Sequence, residues 1–135
     1  SVASDQGKPL ITFGPCTFKI SVQTLVECRL GMYIAIDDVK GQHILGIDSS
    51  DLTFDPHMKA GMTKTCVFEV ESLPLLPGQY QVRLIIRNDS DFRPWQVPSA
   101  HLFEVASSTV YGTRQIDPQW HGHIAVRVKA SFVDE

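Results

Sequence analysis

Apolar and polar side chains alternate along residues 80–87. Tyr80, Val82, Leu84 and Ile86 fall on one side, and Gln81, Arg83, Ile85 and Arg87 on the other. A repeat of two is that of a β-strand, whose successive side chains point to opposite faces. The same repeat runs through Thr17 to Val22, Arg29 to Ile36, Cys66 to Glu71, His101 to Val105 and Ile124 to Ala130. The turn Asp37-Asp38-Val39-Lys40-Gly41-Gln42 leads into a partner strand from His43 to Asp48, which is a hairpin pattern. No segment keeps a helical repeat over ten residues. Val, Ile and Thr total 31 residues against seven Ala, a balance that favours pleated surfaces. Nine Gly and eight Pro punctuate the chain as turns. One domain with about eight such strands needs two packed sheets or a barrel. The expected fold is therefore all-β: an antiparallel β-sandwich of immunoglobulin-like or jelly-roll kind. Residues 1–8 read as a linker remnant and residues 9–135 as the sandwich. Residues 49–62, 88–98 and 106–122 read as irregular connections.

The 135 residues carry a net charge of -3, which argues against a nucleic-acid partner. The apolar runs span a few residues, far short of the ~20 a membrane helix needs, and no secretory signal is read in this stretch. Cys16, Cys28 and Cys66 are an odd number without C-x-x-C spacing. They read as reduced, buried thiols of a cytosolic protein, although a Cys16–Cys66 or Cys28–Cys66 disulfide is not excluded by the spacing.

Few residues suggest catalysis. No G-x-S-x-G or phosphate loop is present, and Glu69 and Glu71 sit where a wet strand face carries charge anyway. No enzyme activity is expected. His121-Gly122-His123 places two imidazoles on one strand face but lacks a third ligand, so no metal site is expected. Asp48, Asp51 and Asp55 do not follow a calcium-loop pattern and read as a solvated loop. No cofactor is expected.

The outward face of three strands, 29–36, 43–48 and 79–87, is more informative. Gly31, Ala35 and Gly46 are small enough to hollow it. Arg29, Tyr33, Gln81, Arg83 and Arg87 surround the hollow, with His43 and Trp95 at its margins. An aromatic ring meets the C–H face of a sugar, and planar polar groups meet its hydroxyls. The arginines also suit an acidic or phosphorylated sugar. These seven residues are the candidate carbohydrate site. Trp120 reads as core.

Four stretches carry a resemblance. Ile36 to Ser50 has a strand, a polar turn with Gly, then Ile44-Leu45-Gly46 and a polar exit. Leu76-Pro77-Gly78-Gln79-Tyr80-Gln81-Val82 has a PG-x-Y-x-V strand entry, His101 to Val105 an F-x-V strand, and Gly112 to Trp120 a closing G…P-x-W segment. In this order, over about residues 10 to 120, they resemble the C-terminal carbohydrate-binding domain of Wzt-type ATPases. These are subunits of the ABC transporters that export O-antigen polysaccharide.

The resemblance implies a β-sandwich that recognises O-polysaccharide without catalysis and reads a modification at its non-reducing end. It implies an ATPase domain in the same full-length chain and a place in the cytoplasm at the inner membrane. It also implies a homodimer with an exchanged C-terminal strand, for which His123 to Phe132 is the candidate. It supplies no residue-level glycan contacts. The competing readings are a structural or protein-interaction sandwich and a generic carbohydrate-binding module.

Overall fold

The protein is described from a computed structural model, which describes residues 2–3, 9–89, 91–106 and 122–133. The strands are β1 (Val2–Ala3), β2 (Cys16–Gln23), β3 (Cys28–Asp38), β4 (His43–Asp48), β5 (His57–Met58), β6 (Thr63–Val70), β7 (Gly78–Asn88) and β8 (Asp91–Val105). They form two sheets, as expected for an all-β sandwich. One has the order β1-β2-β6; the other has the order β4-β3-β7-β8, with β5 paired to β3. All strand pairs are antiparallel. Val2–Ala3, within the segment read as a linker, pairs with Phe18 and Thr17 of β2.

The alternation on β7 sorts its side chains as expected. Tyr80, Val82, Leu84 and Ile86 are buried, while Arg87 is exposed and Gln81 and Arg83 half-buried. They pack between the sheets with Phe18, Met32, Ile34, Ile36, Cys66 and Phe68. Each such side chain contributes roughly 1.5–3 kcal/mol through burial. The β3–β4 turn closes on Asp38, whose Oδ1 accepts the N–H groups of Lys40 and Gln42 at 2.9 and 2.8 Å. Gly41 takes φ 87°, a left-handed conformation that costs glycine little.

The segment 73–76 shuts one end of the sandwich. Leu73, Leu75 and Leu76 are fully buried, Phe13 N–H donates to Leu73 O at 2.7 Å, and Thr12 Oγ1 donates to Leu75 O at 2.7 Å. Tyr80 stacks on Phe103 at 5.7 Å and donates its hydroxyl to Leu76 O at 2.6 Å.

Three expectations change. Residues 91–98 are strand, not loop: register shifts near Leu84 and Asn88 let β8 bend and continue through Pro94 and Pro98, which an edge strand tolerates. The connection at 49–62 holds a 3-10 turn, Ser49–Leu52, and β5. The C-terminal segment is not a full strand of this sandwich. Leu75 and Ile124 form one bridge, Leu76 N–H donates to His123 O and Ala125 N–H to Pro74 O, each at 2.8 Å. That bridge turns Ala125 inward and leaves Ile124 partly exposed. Val128, Phe132 and Val133 then stand in solvent. The stretch 112–120, Trp120 and His121 lie outside the described residues.

Candidate functional site

The strand register brings six of the seven candidate residues onto one face. Across β3, Gly31 opposes Arg87, Tyr33 opposes Ile85 and Asp48, Ala35 opposes Arg83 and Gly46, and Asp37 opposes Gln81 and His43. Residues directly opposite share a face. Arg29, Tyr33, His43, Gln81, Arg83 and Arg87 therefore lie together on the outside of the larger sheet, over Gly31, Ala35 and Gly46.

The hollow is partly filled. Ala35 is fully buried beneath its neighbours. A Cβ at Gly46 would collide with the hydroxyl and ring of Tyr33, so the Tyr33 ring lies over that glycine. At Gly31 a Cβ would stand 3.8 Å from Arg87 Nε, an ordinary contact, so Arg87 lies beside that glycine without requiring it. Gly46 is the seat of the Tyr33 ring rather than an open floor.

A hydrogen-bonded chain runs across the face. Arg83 Nε donates to Asp37 Oδ2 at 3.1 Å, and His43 Nδ1 lies 3.0 Å from Asp37 Oδ1. Burial opposes ionisation of Asp37, but the hydrogen bonds from Arg83 and His43 outweigh it and hold its pKa below the usual carboxylate value. The Asp37 hydrogen bond in turn raises the pKa of Arg83. A carboxylate only accepts, so His43 carries its proton on Nδ1 when neutral. Its Nε2 then accepts from the Tyr33 hydroxyl, 3.1 Å away. Gln81 Nε2 donates to Asp38 O at 3.2 Å.

The three arginines of this face are each matched by an aspartate. Arg83 meets Asp37, Arg87 Nη2 lies 3.6 Å from Asp48 Oδ1, and Arg29 Nη1 lies 3.8 Å from Asp55 Oδ2. Hydrogen bonds from the Ser50 backbone and side chain hold the pKa of Asp48 low. The expected cationic platform for an acidic sugar is therefore a face of paired charges. Sequence reasoning missed Asp37 and Asp48 as members of the site. Continuing the period-two pattern from Tyr33 and Ala35 to Asp37 would have placed the first of them.

Trp95 is the exception. It opposes Ile86, so it belongs to the inward side of β8 and not to the margin of the outer face. It stands 66% exposed at the rim of a cleft of about 630 Å³ between the sheets. Val22, Leu30, Ile86, Leu25 and Val26 also line that cleft, the last two largely exposed. The cleft opens because β1 covers only Thr17 and Phe18 on its side of β2, so residues 20–23 have no strand beside them there among the described residues.

His123 faces Asp38 at 3.7 Å, and among the described residues no three His, Cys, Asp or Glu side chains gather to hold a metal. Glu69 and Glu71 are exposed. Cys16, Cys28 and Cys66 are free thiols, all buried.

The architecture is a two-sheet antiparallel sandwich with a polar and aromatic outer face. The family model of the Wzt C-terminal domain matches residues 2–116, and the chain belongs to that family. A solved structure, described as the crystal structure of the C-terminal domain of Wzt, aligns with a TM-score of 0.74 at 16% identity, covering 99% of this chain and 80% of that one. No curated protein matches the chain.

Proposed function

We propose that this domain is the glycan-reading part of an ABC-transporter ATPase subunit that exports O-antigen. It binds O-polysaccharide without catalysis and recognises a modification at the non-reducing end. Residues 9–135, with β1 paired onto β2, form the binding domain, and an ATPase domain belongs to the same full-length chain. The protein works in the cytoplasm at the inner membrane. The family match over residues 2–116 carries this reading, and the outer face of Arg29, Tyr33, His43, Gln81, Arg83 and Arg87 supports it. Trp95 is outside that site. Among the described residues no helix is long and apolar enough to cross a membrane.

The test is calorimetric titration with the matching purified O-polysaccharide, with and without its terminal modification. The modified chain should bind the more tightly, and Tyr33→Ala and Arg87→Ala should each weaken binding by about 5- to 150-fold, or ~1–3 kcal/mol. Arg83→Ala is the poorer probe, because it strips a buried carboxylate of its partner. Equal affinity for both chains would remove end recognition. Wild-type affinity in both variants would move the site off this face.

The same reading includes a homodimer in which the C-terminal segment of each copy joins the other. The open side of residues 20–23, the apolar cleft and the exposed Val128, Phe132 and Val133 favour it. Removing residues 126–133 spares the docked His123 to Ala125 stretch, and should convert a dimer to a monomer in sedimentation. A monomer for the intact chain at tens of micromolar would count against exchange.

A further inference from the structure

Resting on the reading of the outer face as a glycan site, we infer that this site takes an uncharged sugar residue through a vicinal pair of hydroxyls and rejects phosphorylated or carboxylated sugars. The observation is the one-to-one pairing of charge. Arg29, Arg83 and Arg87 face Asp55, Asp37 and Asp48, and Asp89 Oδ1 also accepts the Arg29 N–H at 2.9 Å. Among the described residues these three arginines are matched one to one, and the chain carries -3 overall. A phosphate brought to Arg87 would approach Asp48 as well. The gain from one ion would be offset by repulsion from the other, and the long-range field would oppose its arrival.

The same pairing suits a diol. Each sugar hydroxyl both donates and accepts. Arg87 and Asp48, side by side at 3.6 Å and both reached by solvent, offer N–H donors and a carboxylate acceptor together. The neighbouring Tyr33 hydroxyl spends its proton on His43 Nε2, so its oxygen remains an acceptor. Tyr33 stands opposite Asp48 in the sheet, so donor, acceptor and ring lie side by side on one face.

The test follows amide chemical shifts of the 135-residue chain during titration with methyl α-glucoside, methyl α-mannoside and methyl β-galactoside. Glucose 6-phosphate, mannose 6-phosphate and galacturonate are titrated in parallel. At least one neutral glycoside should shift residues 31, 33, 46 and 87 and bind about tenfold or more tighter than its charged counterpart at about pH 8. Asp48→Asn keeps the oxygen that accepts from Ser50 but frees Arg87 of its counter-charge. It should weaken the neutral sugar several-fold and strengthen the phosphate. If the phosphorylated sugar binds the wild-type face more tightly, the ligand class is wrong while glycan reading stands. If neutral sugars shift other residues only, the face is wrong. If no sugar shifts the face although O-polysaccharide binds, this inference falls and the function survives. If neither sugars nor O-polysaccharide bind, both fall together.

Discussion

At one end of the sandwich, Leu73, Leu75 and Leu76 are fully buried, the hydroxyl of Tyr80 is tied to Leu76, and His123 and Ala125 are hydrogen-bonded across the opening. At the other, Leu25, Val26 and Trp95 stand around an apolar cleft of about 630 Å³. The strands are the same at both ends: β7 supplies Tyr80 to the first and Ile86 to the second. The difference lies in what the connecting segments bring. The first end receives three leucines and a docked piece of the C-terminal chain, whereas the second receives a short turn, Thr24 to Glu27. Alternation along a strand decides which side chains point inward. It does not decide whether anything arrives to cover them.

The largest expected effect sharpens this contrast. Tyr80→Ala removes a stacked ring and a buried hydrogen bond at the closed end. It should cost about 3–5 kcal/mol in denaturant unfolding, as large aromatic truncations do. A loss below ~1 kcal/mol would show that this end is no better packed than the open one. Next comes the outer face near the closed end. Asp37→Asn should cost about 1–3 kcal/mol, because Arg83 and His43 lose a charged acceptor. A neutral result would mean that the chain from Arg83 to Tyr33 adds nothing to stability.

Acid gives a smaller, graded effect. The folded-state pKa values of Asp37 and Asp48 lie below the ordinary 3.8. The unfolded chain therefore binds more protons in that range, and stability rises with pH. The contribution is complete above the unfolded value and is lost as pH falls below about 4 through the folded values. Asp37→Asn should flatten this part of the unfolding profile, and an unchanged slope would refute the assignment. Least of all, Leu25→Ser at the open end should alter stability by no more than ~0.5 kcal/mol, since that side chain is already in water. A substantial loss in the dilute protein would show that the cleft is closed in solution.

Much of the fold was legible because period-two patterning is a local signal. Tyr80 to Arg87 sorted correctly, and Cys66 and Phe68 were placed inward by the same rule. The failures have non-local causes. Residues 91–98 looked irregular because bulges break the alternation that marks a strand. Trp95 was put at the margin of the outer face because its stretch read as a loop, and a loop reading carries no rule for which side a residue faces. At the site, the face and its arginines were readable from the strand repeat. Their neutralisation was not, because Arg83 and Asp37 are separated by 46 residues and meet only through the β3–β7 register.

The three thiols have a practical consequence. A thiolate is the form that alkylating reagents attack. Burial pushes the Cys16 thiol up to about 11 and raises that of Cys66 as well. Chemical trapping of these two positions must wait for the protein to open around them. Cys28 lines the cleft and Cys16 begins β2 toward the closed end. The chain thus carries its own clocks at opposite ends of the sandwich. The order in which a small alkylating agent stops them, read by mass spectrometry, gives the sequence in which the two ends breathe. A ligand or second subunit that fills the cleft would slow the Cys28 clock and leave the other running at its own rate.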